Sequence, residues 1–387
     1  MRSENFSLKP LASLANIYDS MRIPVKKADR KPGPYPYYGA SGIVDYVDSY
    51  IFDGEYLLLA EDGENLRSQN LPIAFMATGK FWVNNHAHIL QGKNGNNTLY
   101  LCYALKIADI GSYLSGSTRP KLTQRDMKRI SVSCADPEEQ HAIAHILGSL
   151  DDKIELNRRM NQTLQAMARA IFKHWFIDFE FPNENGEPYK SSGGETINSP
   201  LGPIPKGWRI GRIEDVCEFS YGKALKADKR IQGRIPVYGS NGQIGWHNES
   251  LVSGPGIIVG RKGNPGLIHW SKEDFFPIDT TFYVVPRVGK SIMHFLYFAL
   301  KHVDLPRLSA DSAVPGLNRN IAYMQQLVIP TEQLLRDFEN RISIIFDLLQ
   351  TNCWQNQSLS ELRDSLLPKL VSGEIRVPVS EKEDDQL

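Results

Sequence analysis

Apolar positions along this chain follow two rhythms, and each rhythm occurs twice. Over 1–135 and again over 208–330 they fall in short runs such as "YLLLA", "IAFMA", "HAHIL", "GIIVG" and "TFYVV". Gly, Asn and Pro punctuate these runs, which is the signature of strands bounded by turns. Helical stretches, "NTLYLCYALKIA" and "IMHFLYFALKHV", interrupt them, so each region predicts a mixed α+β globule.

After each globule the spacing changes to alternating fours and threes. Ile143, Leu147, Leu150, Ile154, Asn157, Asn161, Leu164, Ala168 and Ile171 form one heptad seam. A second runs through Leu335, Phe338, Ile342, Ile345, Leu349, Asn352, Asn356, Leu359, Arg363, Leu366 and Leu370. The spacing predicts long helices over 136–181 and 331–375. Asp136 as N-cap, Pro137 at the first helical position and Glu139 closing a capping box start the first helix, and Gly373 stops the second.

A heptad helix cannot bury its seam alone, so the two are expected to form an antiparallel coiled coil, the geometry a pseudo-two-fold repeat would impose. Asn157 would then face Asn356, and Asn161 would face Asn352, as register-setting polar pairs. The alternative is a seam that opens there and leaves all four solvated. Between the first helix and the second globule, 182–207 is rich in Pro, Gly and Ser and reads as a linker. An acidic tail is expected over 376–387.

The doubling is an internal repeat. "YPYYGASG" from Tyr35 returns as "IPVYGSNG" from Ile235, and Phe6 matches Trp208. The offset of 200 holds from Pro36/Pro236 through "GEYLLLAEDG" against "GPGIIVGRKG". It becomes 195 at "FWVNNHAHIL" against "FPIDTTFYVV", and stays so for "RPKL" against "VPGL" and "NQTL" against "NQSL".

Composition changes this picture little. The 387 residues are 41% hydrophobic and 23% charged, enough for several buried cores. Cys102, Cys134, Cys217 and Cys353 have no metal-ligand spacing, which suits reduced thiols in a cytoplasmic protein. No apolar run approaches a membrane span, and no secretory leader is expected. Net charge is zero, yet 22–31, 119–129 and 223–234 each carry five basic residues against one acid. Such local clusters are the footprint of a phosphate backbone.

Enzymatic signatures are missing. There is no GxxxxGK[ST], HExxH or GxSxG pattern. His86 and His88 share one face of a probable strand, but no third ligand at metal spacing accompanies them, so they read as structural or DNA-facing. Glu61 and Asp62 do not by themselves define a catalytic dyad.

At this point the residues carry a family resemblance. "IFKHWFIDFEF" and "LRDSLLPKLVSGEIRV" closely resemble the central and C-terminal conserved regions of specificity subunits of type I restriction-modification systems. "GSTRPKLTQRDM" and "SAVPGLNRNIAYM", each leading into a long helix, resemble the ends of their target-recognition domains. The resemblance spans nearly the whole chain. It implies a non-catalytic reader of double-stranded DNA that clamps two adenine methyltransferase subunits and recruits ATP-driven motor-endonuclease subunits. S-adenosylmethionine, ATP and Mg²⁺ would belong to those partners, with no cofactor or metal in this chain.

Candidate phosphate contacts are Lys26, Lys27, Arg30, Arg119 and Lys121 in the first globule, and Lys223, Lys226, Lys229 and Arg230 in the second. Tyr38, Ser41, Tyr238, Ser240 and Asn241 lie on the repeated Gly-bounded loop, which either touches DNA or is a structural turn. Arg261 and Lys262, in "GRKGNP", stand where the first globule has Glu61 and Asp62, in "AEDGEN". The former pair suits guanine or phosphate, the latter only donors such as cytosine N4. Phe172, Trp175 and Phe176 are the candidate partner-binding residues, with burial against a globule as the alternative. Two other readings stay open: a stand-alone bipartite DNA-binding protein, and a coiled-coil scaffold whose globules bind protein or glycan.

Overall fold

A computed structural model describes residues 6–116, 118–287, 292–309 and 316–377. The chain divides into two compact units, one formed by 1–156 with 355–387 and the other by 157–354. Most of the expected acidic tail, from 378 onward, lies outside the described residues, as do Val314 and Pro315 of the "VPGL" match.

In the first unit a mixed sheet runs in the order Ala15–Ile17, Ala87–Gly92, Phe52–Ala60, Ala74–Val83, Tyr35–Gly39, Gly42–Val47. Alternation along its central strand separates two cores. Leu57 and Leu59 enter the larger, with the helix Thr98–Ile107, while Leu58 enters a second with Phe52, Phe81 and Ile89. Asn97 caps that helix by accepting from the Tyr100 N–H at 2.9 Å. A ribbon of Ser7–Pro10 and Ser131–Cys134 closes the unit.

The second unit repeats this plan with its sheet divided. Cys217–Tyr221, Thr281–Pro286, Gly256–Gly260 and Ile268–Ser271 form one sheet, in that order. Gly242–His247, Ile235–Gly239 and Phe276–Pro277 form another. Arg209–Arg212 pairs with Gln326–Ile329 as the closing ribbon.

Strand registers correct one detail of the repeat. Tyr37 pairs with Trp82 and Val237 with Phe276, while Ala60 pairs with Ala87 and Gly260 with Thr281. The offset over these partner strands is thus 194, one residue less than the aromatic match suggests. The repeated "YGASG" and "YGSNG" are tight hairpins with matching bulges after Tyr37 and Val237. Gly42 and Gly242 close them at φ +119° and +106°, a region that disfavours side chains.

The first long helix spans Pro137–Phe176 and the second Glu332–Ser372. Every seam position named above is buried or half-buried. Glu139, expected in a capping box, is engaged otherwise: Arg376 Nε and Nη2 donate to its carboxylate at 2.7 and 2.9 Å. In the first unit Asp151 accepts from Arg363 Nη1 at 2.5 Å. In the second, Asn352 Nδ2 donates to Asn161 Oδ1 at 2.8 Å, and Asn161 Nδ2 to the Leu349 carbonyl at 3.3 Å. Asn157 is fully buried and Asn356 half-buried.

Asn161→Leu alone should cost about 1–3 kcal/mol, because the Asn352 amide keeps its burial and loses its acceptor. Asn161→Leu with Asn352→Leu should recover that loss, as read from thermal midpoints. A double variant less stable than the single would show that the amide pair, rather than its satisfaction, holds the seam.

The segment expected as a linker is folded onto the second unit. Thr196–Ile197 pairs with Ile204–Pro205, and the Phe181 ring stacks on Tyr189 at 4.5 Å and Trp208 at 5.2 Å. Apolar side chains among the Gly and Pro residues hold it there. No helix among the described residues is long and apolar enough to cross a membrane.

Candidate nucleic-acid interface

Each globule carries its first basic segment on the strand-poor turn before the repeated hairpin. The turn is built alike in both: a short 3₁₀ element, Lys27–Asp29 or Ala227–Lys229, followed by an arginine that folds back. Arg30 donates to the Val25 carbonyl at 3.1 Å and to Asp45 at 3.0 Å, and lies 4.4 Å from the Tyr37 ring. Its hydrogen bond and Tyr46 N–H hold the Asp45 carboxyl below the usual carboxylate value. Arg230 donates to the Ile244 carbonyl at 2.8 Å. Both arginines therefore brace the hairpin. Lys26 and Lys27 in the first unit, and Lys223, Lys226 and Lys229 in the second, stand exposed.

The hairpin loop is mainly structural. Tyr38 packs on Phe75 and Phe81, and burial raises its phenol pKa; Tyr238 packs on Phe275. Ser240 is 7% exposed, and its hydroxyl donates to the carbonyls of Lys262 and Thr280. It has no donor left for a base, contrary to the expectation of a DNA contact there. Ser41 and Asn241 are exposed at the loop tips, and Asn241 accepts from the Asn264 amide.

The turn after the central strand differs most between the units. In the first, Glu61 meets Arg22 at 2.6 Å and Lys121 at 3.4 Å. Asp62 meets His86 at 2.9 Å and Arg119 at 3.1 Å. The acids are thus enclosed by cations rather than offered to cytosine. Arg119 and Lys121 remain 66% and 52% exposed, so both can still reach a phosphate. His88 is buried against Asp19 and the Leu122 carbonyl, so the two histidines of "HAHIL" do not converge. No cluster of three metal-ligating side chains occurs among the described residues.

In the second unit the matched turn is cationic. Lys262 is exposed, while the Arg261 guanidinium lies 5.2 Å from the Tyr221 ring centroid. Arg319 stands 5.1 Å from the same ring. Sequence reasoning missed Arg319 and Tyr221 because nearly the whole second globule lies between the strand end and the helix start. The only local signal was the N-cap pattern "LNRN", which places an arginine at a helix N-terminus.

Phe172, Trp175 and Phe176 are 7%, 5% and 4% exposed. They pack on Phe295, Phe298, Phe338 and Trp208 of the second unit. The expectation of a free docking surface is corrected: the protein's own globule covers it, because this helix end packs into the second core.

Two globules that repeat one framework, each setting exposed lysines beside a rigid hairpin and differing in charge at one turn, define a two-headed recognition protein. The type I restriction modification DNA specificity domain matches residues 3–166 and 205–332, and the chain belongs to that family. It is a DNA sequence-recognition subunit of the type I restriction-modification class, and such subunits are the non-catalytic components of these enzymes.

The type I restriction enzyme MjaIX specificity subunit of Methanocaldococcus jannaschii is 26% identical over 393 residues, covering 89% of this chain and 88% of that one. A putative type I restriction enzyme specificity subunit of Haemophilus influenzae is 40% identical over 142 residues, 37% of this chain and 36% of that one. The crystal structure of a type-I restriction-modification system S subunit from M. genitalium shares the fold. Its TM-score is 0.67 at 19% identity, covering 96% of this chain and 97% of that one.

Proposed function

We propose that the chain reads a bipartite, asymmetric double-stranded DNA target, one half-site per globule, with an unread spacer. The observation that carries this is the turn at 61–62 and 261–262: equivalent places in one framework, acidic and neutralised in one unit, cationic in the other. Two heads built alike but charged differently cannot share one half-site sequence.

The two long helices are the arms that hold the heads, pairing antiparallel along their heptad seams. Within each unit taken alone, partner numbers fall as residue numbers rise. Glu139 meets Arg376 and Asp151 meets Arg363 in the first; Asn161 meets Asn352 and Trp175 meets Phe338 in the second.

Two adenine methyltransferase subunits would dock along these helices in the cytoplasm, with motor-endonuclease subunits completing the complex. Those partners would supply S-adenosylmethionine, ATP and Mg²⁺. Exposed Met160, Met167, Ile344 and Leu348 in the second unit are apolar side chains suited to such docking. They take the place first given to the buried aromatic trio.

Affinity purification of the chain from its native cells, with sequencing of methylated adenines, tests this reading. Recovery of an adenine methyltransferase and a two-part methylated site supports it. Recovery of the chain alone, still binding DNA, leaves a bare two-headed reader.

In the assembled complex, replacing Lys223, Lys226 and Lys229 with alanine should weaken all sequences alike. The slope of log affinity against log salt should fall by about 0.9 for each lysine that touches phosphate. An unchanged slope would place these lysines off the backbone path.

A further inference from the structure

The second globule contains an aromatic seat occupied by two arginines. Tyr221, at the end of strand Cys217–Tyr221, is 51% exposed, and its ring stands 5.0 Å from that of Phe282. The Arg261 guanidinium lies over both rings, at 5.2 and 5.9 Å from their centroids. The Arg319 guanidinium lies over Tyr221 and Tyr323, at 5.1 and 5.7 Å. Backbone bonds fix the seat: Leu317 N–H donates to the Arg261 carbonyl at 2.9 Å, and Asn318 caps the helix Arg319–Tyr323.

What these arginines lack is as informative. Among the described residues neither meets a carboxylate, unlike Arg22, Arg30, Arg119 and Arg363. Among the described residues each Nε is buried without a hydrogen-bond partner, and Arg319 Nη1 donates to the Phe219 carbonyl at 3.4 Å. Two cations that share the Tyr221 ring and meet no carboxylate among the described residues invite an anionic or acceptor-rich partner. Contact with two rings also restrains where each guanidinium can lie, which a phosphate contact does not need. A fork held in place is what bidentate pairing to guanine O6 and N7 requires.

We propose that Arg261 and Arg319 are guanine-reading forks of the second globule, and that Tyr221 is the positioning residue that aims them. This rests on the reading of the chain as a DNA specificity subunit. It adds which side chains specify bases, and that the half-site read by this globule contains guanine at the positions they reach. At the matched turn of the first globule, Glu61 and Asp62 hold cations by ion pairing instead.

The test uses the complete complex and adenine methylation of a library randomised in both half-sites. Arg261→Lys and Arg319→Lys keep the charge and remove the fork. Each should lower discrimination for one guanine by roughly 5- to 150-fold. Preference in the other half-site should stay unchanged. Tyr221→Leu should relax the same positions, and Tyr221→Phe should restore them. Two results would overturn the inference: lysine variants that retain the full guanine preference, or a uniform loss across all sequences with a shallower salt slope. A wild-type complex that methylates no bipartite site would instead overturn the specificity-subunit reading, and this inference with it.

Discussion

Phe338→Ala should lower the unfolding free energy of the second unit by about 3–5 kcal/mol. Phe338 is fully buried, on the seam of the second long helix. Its ring lies 4.8 Å from Phe176, 5.8 Å from Trp175, 6.1 Å from Phe172 and 6.4 Å from Phe298. Removing it opens a cavity where four rings from two helices meet. None of them can collapse inward without pulling its own helix out of register. Edge-to-face ring geometry adds to area burial, so Phe338→Leu should cost less, with the aromatic term as part of the difference. Urea unfolding followed by tryptophan fluorescence measures both. A loss for alanine below about 1 kcal/mol would mean that the site relaxes freely and that these rings are not the keystone of the unit.

His88→Leu should destabilise the first unit by about 3 kcal/mol near neutral pH, because the buried Asp19 carboxylate loses its shortest partner and keeps Arg22 only at 3.5 Å. His88 Nδ1 lies 2.6 Å from Asp19 Oδ2, and Nε2 lies 2.8 Å from the Leu122 carbonyl. Both ring nitrogens face oxygen atoms of the fold, so His88 is held from two sides. Burial pushes the Asp19 carboxyl up. The His88 hydrogen bond and charge, the Ile89 N–H and the Gln124 amide outweigh it and hold the group below its usual 3.8.

A carboxyl lowered by folding stabilises the native state above its unfolded value, and that contribution is lost as pH falls through the folded value. In the variant, burial faces fewer opposing interactions, so the carboxyl moves upward and takes a proton more easily. The gap between wild type and His88→Leu should therefore narrow as pH falls through the carboxylate range. A gap that stayed constant would assign the effect to packing alone. Replacing Asp19 and His88 together by apolar residues should recover much of the loss, because no charge is then left unpaired.

Much of this protein is legible without coordinates, because its strongest signals are local or periodic. The seam positions repeat at helical spacing, and each is buried or half-buried. Gly42 and Gly242 close identical turns because the positive φ there excludes most side chains. The short runs that read as strands do form sheets, since alternation such as Leu57–Leu58–Leu59 serves two cores at once. The one-residue error in the repeat offset arose because aromatic identity, Phe81 against Phe276, was matched in place of hydrogen-bond register.

The candidate interface was far less legible. Five arginines and lysines in a row look alike in sequence, yet Arg30 and Arg230 brace the hairpin while Lys26 and Lys226 stay exposed. That choice depends on Asp45 and the Ile244 carbonyl, which come from the neighbouring strand. Phe172, Trp175 and Phe176 looked exposed because the helix alone offers nothing to cover them, and Phe295, Phe298 and Phe338 supply the cover.

The sequence by itself therefore determined the doubled plan, the long helices and the hairpins, all set by spacing along the chain and by backbone sterics. Only the tertiary structure decided which charges are spent on the fold and which remain for a ligand. Ion pairing and ring stacking act over a few ångströms in space, between residues as distant as Tyr221 and Arg319, and chain order does not encode that proximity.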